Sequence, residues 1–192
     1  MLKKQVMKKI IDEIKYCKKC ELCKSRNNPV IGEGNLNTEI MFIGEAPGYN
    51  EDKQGIPFVG KAGKILDELL HSIGLQREDV YIANILKCRP PENRNPLKTE
   101  IDACTEYLNR QIELIQPKII IPMGNFACSF IFEKYCLDFK KISNVHGKIF
   151  NVNTFFGELK IIPMYHPAVA TYNPNKKTIL LQDFSLLKLL LS

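Results

Sequence analysis

The chain of 192 residues contains no apolar run long enough to span a membrane and opens on no signal peptide. Those absences predict an intracellular protein with no membrane partner, in a reducing compartment where disulfides are not the expected use of thiols. Internal repeats, linkers and charge blocks are missing too, so one domain over residues 1–192 is expected, with no disordered tract. The Leu-rich stretch from Ile179 to Leu191 is broken by Gln182, Asp183, Ser185 and Lys188, and reads as an amphipathic helix. Histidine is scarce: of His71, His146 and His166, only the last follows a predicted strand directly. What is present is a 45% hydrophobic composition, enough for one substantial core, and a net charge of +6 that suits an anionic partner.

The most informative feature is the cysteines. Cys17-Lys-Lys-Cys20 places two thiols in one turn, and Cys88 and Cys104 can complete a four-thiolate centre if the fold brings the N-terminal segment onto the middle of the chain. Such a centre would clip an irregular N-terminal arm to the domain. It suits a structural zinc or an iron–sulfur cluster, and spacing alone favours zinc. Cys128 and Cys136 fit the blander role of small apolar residues.

Strand and helix signals alternate. Strands are predicted at 38–44, 80–86, 118–123 and 159–165, and helices at 61–73, from 99 to Pro117, at 125–135, and after His166-Pro167-Ala168. Residues 142–155 read as a hairpin or an extension of the sheet edge. The alternation predicts an α/β fold of three layers, α/β/α, around a mainly parallel four-stranded sheet. Ligands of such sheets bind at the carboxyl ends of the strands, and the special residues of this chain gather in those loops. Gly44-Glu-Ala-Pro-Gly48 can turn amide N–H groups toward a ligand, and Glu45, Glu51 and Asp52 offer carboxylates to orient a water or accept a proton. Phe58, framed by Gly55 and Gly60, is a stacking platform or a loop anchor. Asn84 offers a donor and an acceptor side by side, matching a base edge, and His166 is placed as an electrophile or acid/base.

Gly44-Glu-Ala-Pro-Gly-x-x-Glu-Asp52, Pro57-Phe-Val-Gly-Lys-Ala-Gly63, Asn84-x-x-Lys-Cys-Arg-Pro-Pro91, Asn93-Arg94-x-Pro96 and His166-Pro-Ala168, in that order, resemble the family 4 uracil-DNA glycosylases, iron–sulfur enzymes of archaea and bacteria. The resemblance implies a uracil-DNA glycosylase-like fold and hydrolysis of the N-glycosidic bond of uracil in DNA. The partner would be uracil-containing DNA, single- or double-stranded, the product free uracil, and the protein a monomer in a prokaryotic cytoplasm. It implies that Cys17, Cys20, Cys88 and Cys104 hold a [4Fe–4S] cluster, in place of zinc, with Cys23 a spare or competing ligand. Phe58 would stack on the flipped uracil, Asn84 would read its Watson–Crick edge, and Ala46 and Gly48 would line the pocket. Glu51 would crowd the C5 position, and His166 would donate to O2 as charge develops there. Better-known relatives carry an aspartate where this chain has Ala46, which leaves Glu45 as the nearest group to activate water. Arg89, Arg94, Tyr172 and Lys176 would meet DNA, with tyrosine standing at 172 where family members often have arginine. The alternative is a relative of the same superfamily that binds DNA without cleaving it, or that prefers hypoxanthine or xanthine.

Overall fold

In the computed structural model, which describes residues 2–191, the elements run α1 (Leu2–Lys15), β1 (Glu33–Gly34), β2 (Ile40–Gly44), α2 (Tyr49–Gln54), α3 (Lys61–Ser72), β3 (Tyr81–Asn84), α4 (Lys98–Ile115), β4 (Ile119–Pro122), α5 (Asn125–Lys134), β5 (Phe150–Thr154), β6 (Gly157–Ile161) and α6 (Pro174–Leu191). They form one six-stranded sheet in the order β1-β3-β2-β4-β6-β5. The expected four parallel strands are its centre, with Met41 opposite both Tyr81 and Ile120, and Ile120 opposite Ile161. Two antiparallel strands are added at the edges. One is only Glu33–Gly34, exposed and without an apolar pattern, while the other pairs β6 as a hairpin in the region read as hairpin or edge.

Every residue of β2, β3 and β4 is buried, because helices cover both faces. Met41, Ile43, Tyr81, Ala83 and Ile120 face one core with residues of α1, α4 and α5. Phe42, Ile82, Ile119 and Ile121 face the other, against Leu66, Leu69 and Leu70 of α3 and Leu180, Phe184 and Leu187 of α6. Period-two alternation along the strands thus assigns one side chain set to each layer.

The N-terminal arm is not irregular as expected but a fourteen-residue helix. Met7, Ile10 and Ile14 recur at helical spacing and are buried, while Glu13 pairs with Arg110 and Lys3 Nζ donates to the carbonyl of Ile115 at 3.0 Å, fastening α1 to α4. The helix ends at Lys15, one residue short of Cys17, so a rigid element delivers the first cysteine pair. A further short helix, α2, occupies the loop after β2. Its Asp52 is 1% exposed and accepts from the backbone N–H of Asn27 at 2.9 Å and from the Asn27 side chain. Asp52 is therefore not a carboxylate facing a substrate, as its motif suggested, but a tie between the segment after the cysteine turn and the first loop.

Candidate active site and cysteine centre

The loops at the carboxyl ends of β2, β3 and β6 enclose a cavity of about 350 Å³. Glu45, Ala46, Gly48, Glu51, Phe58, Asn84, Arg94 and His166 line it, so the structure brings together eight of the positions singled out in the sequence. Pro47, Ala62, Pro90, Asn93 and Ala168 complete the lining. They were quoted only as parts of motifs, and nothing in their residue type marked them as lining.

Phe58 is held by several independent contacts. Its backbone sits at φ +54, a left-handed conformation that a phenylalanine adopts only when its surroundings impose it. Arg77, nineteen and twenty residues away, donates to the carbonyls of Phe58 and Pro57, the latter at 3.0 Å. One Glu51 oxygen accepts from the N–H groups of Val59 and Gly60 at 2.9 and 2.8 Å. Gly63 lies so close beneath that any Cβ there would overlap the Phe58 carbonyl. The ring stacks on His166 with centroids 5.5 Å apart and planes at 26°. Arg77 had no signal in sequence, since nothing local connects it to residue 58.

Asn84 ends β3 opposite Gly44, where a Cβ would run into Asn84 Oδ1 and approach Phe58 Cζ to 2.7 Å. The Gly44 position is thus a floor on which both side chains rest. Asn84 is 2% exposed and its Oδ1 has no hydrogen-bond partner among the described residues. An orphaned acceptor of this kind costs on the order of 1–3 kcal/mol, a cost that a ligand N–H removes. His166 supplies the opposite polarity. Its Nδ1 accepts from the N–H of Ala168 at 3.2 Å, which leaves the proton of a neutral imidazole on Nε2. Burial lowers its pKa to about 4 despite the nearby Glu51 carboxylate, so the ring is a neutral donor at ordinary pH. Glu45 lines the cavity, makes no side-chain hydrogen bond among the described residues, and has its pKa raised by burial. Ala46 presents only a methyl group, so Glu45 is the carboxylate without an internal partner in the cavity wall.

The four candidate DNA contacts fare differently. Arg94 reaches the cavity but forms a two-pronged pair with Glu100, at 2.9 and 2.6 Å. Arg89 lies over the ring of the half-exposed Tyr49 and donates through Nε to Asn93 at 2.7 Å. Tyr172, 75% exposed, closes the turn after His166. Lys176 Nζ lies 3.9 Å from the centroid of Tyr165, while Lys177 pairs with Glu68.

Cys17, Cys20, Cys88 and Cys104 line a second, small cavity, together with Cys23, Arg26, Lys87 and Tyr107. None of these five cysteines is in a disulfide among the described residues. Arg26 Nη1 donates to Cys88 Sγ at 3.1 Å and the Lys87 N–H to Cys104 Sγ at 3.2 Å, the kind of donors that steady thiolates bound to a metal. Among the described residues, no group of three or more His, Cys, Asp or Glu side chains converges as a single-ion site. The four thiols nevertheless share the wall of one cavity, and four thiolates are a donor set that either zinc or an iron–sulfur cluster accepts.

A model of the uracil DNA glycosylase superfamily matches residues 31–185. The chain is 50% identical over 175 residues to a type-4 uracil-DNA glycosylase of Archaeoglobus fulgidus, covering 91% of this chain and 88% of that one. It is 51% identical over 184 residues to the type-4 enzyme of Saccharolobus solfataricus, covering 95% and 85%. A third type-4 enzyme, from Thermotoga maritima, is 44% identical over 185 residues, covering 94% and 92%.

Proposed function

The chain belongs to the uracil DNA glycosylase superfamily and to its type-4 branch, and from that premise we propose that it hydrolyses the bond between uracil and deoxyribose in DNA, beginning base-excision repair. The observation that carries the reading is the orphaned Oδ1 of Asn84 in the cavity that also holds the neutral imidazole of His166. Uracil offers an N–H at N3 for the first and a carbonyl at O2 for the second. Cytosine has no N3 proton, so it would leave the buried acceptor unpaired, an error that polar sites reject strongly.

The base leaves the stack before its glycosidic bond can be reached. Phe58 then serves as the flat wall of the pocket, and Glu51, fixed by the amides of Val59 and Gly60, stands against the C5 side where thymine carries a methyl group. Bond cleavage puts negative charge on the departing base and oxocarbenium character on the sugar. The Nε2–H of His166 donates to O2, and the bond strengthens as that charge grows, which lowers the barrier rather than merely tightening binding. Glu45 holds the attacking water for C1′ and takes the proton it sheds, burial having raised the pKa of this carboxyl. The base departs as free uracil and the sugar is left abasic.

Cys17, Cys20, Cys88 and Cys104 hold a [4Fe–4S] cluster in this reading, and the cluster's contribution is structural: it fixes the 87–96 loop against α1. Hydrolysis involves no electron transfer. Arg89, Tyr172 and Lys176 contact the strand around the flipped nucleotide, Tyr172 as a wedge or stacking surface. No described helix is long and apolar enough to cross a membrane, and we place the protein in the cytoplasm, acting as a monomer. The test is incubation with matched oligonucleotides carrying uracil, thymine, cytosine or hypoxanthine, scored for alkali-labile abasic sites. Cleavage confined to uracil is expected. Cleavage of hypoxanthine, or binding without cleavage, would replace this reading with the altered-specificity or non-catalytic one.

A further inference from the structure

Lys87 is 1% exposed, among the largest fully buried side chains of the protein. Its Nζ donates to the backbone carbonyl of Asn84 and to Oε1 of Gln111, both at 2.8 Å. Gln111 is itself fully buried and donates through Nε2 to the Ile31 carbonyl at 2.9 Å and the Tyr81 hydroxyl at 3.1 Å. On its other side, the Lys87 N–H donates to Cys104 Sγ, its carbonyl accepts from Val30 at 2.7 Å, and the residue lines the cysteine cavity. A leucine or methionine would fill this space without the cost of burying an amine. What an alkyl chain cannot do is bond the strand end that carries Asn84.

That strand end needs support. The Oδ1 of Asn84 has no partner among the described residues, so no bond of that atom to them fixes the aim of the side chain. Its direction is inherited from the backbone at the last residue of β3, where Ile85 and Leu86 donate to the carbonyls of Gly44 and Glu45 at 3.0 Å and the carbonyl of Asn84 itself is taken by Lys87. We propose that Lys87 is a positioning residue that couples the cysteine centre to the base-reading Asn84, holding the Asn84 carbonyl from one side and the Cys104 sulfur from the other. The inference rests on the uracil-excision reading and deepens it: the cysteine centre acts on base recognition through Lys87 and not only on the stability of the 87–96 loop. A merely structural lysine would affect melting temperature and cluster retention, but not the affinity of the pocket for the base.

The experiment compares the wild-type holoprotein with Lys87→Met, which keeps an unbranched side chain one atom shorter, removes the ammonium donors and leaves the main-chain N–H on Cys104. Four quantities are read: iron content, melting temperature, binding to a duplex with an abasic site, and inhibition of cleavage by free uracil. The expected result is iron content and abasic-site binding within about twofold of wild type, with inhibition by uracil weakened roughly tenfold, the scale of one lost buried hydrogen bond. Unchanged uracil inhibition, or a loss that only tracks lost iron, overturns the inference. Should Lys87→Met fail to fold, Gln111→Met decides, because it keeps the amine and removes its second anchor: a loss of about threefold in uracil inhibition supports the coupling, and none refutes it. A wild-type protein that does not excise uracil refutes the functional reading instead, so the two failures are distinguishable.

Discussion

Gly44→Ala adds one methyl group to the floor of the cavity, and the structure specifies what it meets. The Cβ would stand 2.7 Å from Phe58 Cζ and nearer still to Asn84 Oδ1, where ordinary contact begins at 3.4 Å. Phe58 must therefore withdraw by about 0.7 Å and Asn84 by more, or the end of β2 must shift. Neither side chain is free to yield. Phe58 is pinned through its backbone by Arg77 and stacked on His166, and Asn84 is buried at its ladder position opposite Gly44. Overpacking of this kind costs about 1–3 kcal/mol, within what a folded domain of this size tolerates. Misplacement of binding groups by about 1 Å costs roughly 100-fold in rate. The expected outcome is a folded protein with a lowered melting temperature, unchanged iron content, and kcat/KM for a uracil-containing oligonucleotide down by about two orders of magnitude. A Gly44→Ala protein that keeps activity within about twofold of wild type would refute the account of Gly44 as the common support of both side chains.

Replacing His166 with alanine is expected to lower the single-turnover cleavage rate by about 100- to 1000-fold while leaving abasic-site binding intact, as measured by gel shift beside a cleavage assay. Because the folded-state pKa of His166 lies at about 4, below the ordinary value near 6.5, folding favours its neutral form. That stability is fully present above pH 6.5 and is lost as pH falls toward 4, which denaturant titrations across this window would follow. The acid limb of the pH–rate profile should instead report Glu45, whose raised pKa makes it the first catalytic group to gain a proton on acidification; in Glu45→Gln the rate is expected to fall and that limb to disappear. Cys88→Ser, or removal of the cluster by chelation, is expected to cost melting temperature and DNA binding together. A variant that has lost the cluster yet keeps both its melting temperature and its DNA binding would contradict the structural role given to the cysteine centre.

Much of the architecture was legible because the parallel strands are buried on both faces and so read as short unbroken apolar runs, such as Ile40-Met-Phe-Ile43. The edge strands lacked that signal: β1 is two exposed residues, paired only because Tyr81 and Ile82 present a free edge. The helix α1 was hidden by its lysines, although Met7, Ile10 and Ile14 carry the period once the charges are set aside. In the cavity, the residues whose chemistry is intrinsic to their type, His166, Asn84, Phe58 and Glu45, stood out in sequence. Those that act by holding others did not. Arg77 and Gln111 sit inside ordinary helical or turn segments, and their partners at Phe58 and Lys87 are fixed by tertiary packing alone.

The same division explains how the cavity is built. Its two recognition walls have separate supports that meet only at Gly44. The aromatic wall hangs on a loop in which Arg77 and Glu51 take up backbone groups and Gly63 lets the chain turn close beneath. The polar wall stands on the end of β3, backed by Lys87 and Gln111 and, behind them, by the sulfur of Cys104. The first is a loop held through its backbone by charged side chains of the protein. The second is a strand end tied to a buried network, and it fixes the direction of the one acceptor that distinguishes uracil from cytosine. Rigidity is therefore placed where discrimination needs it, since an acceptor that could swing would find a partner in either base. This gives the cysteine centre a reason to lie beside the 87–96 segment: a non-redox reaction gains nothing from its electrons, but a base-reading strand end gains a fixed backing.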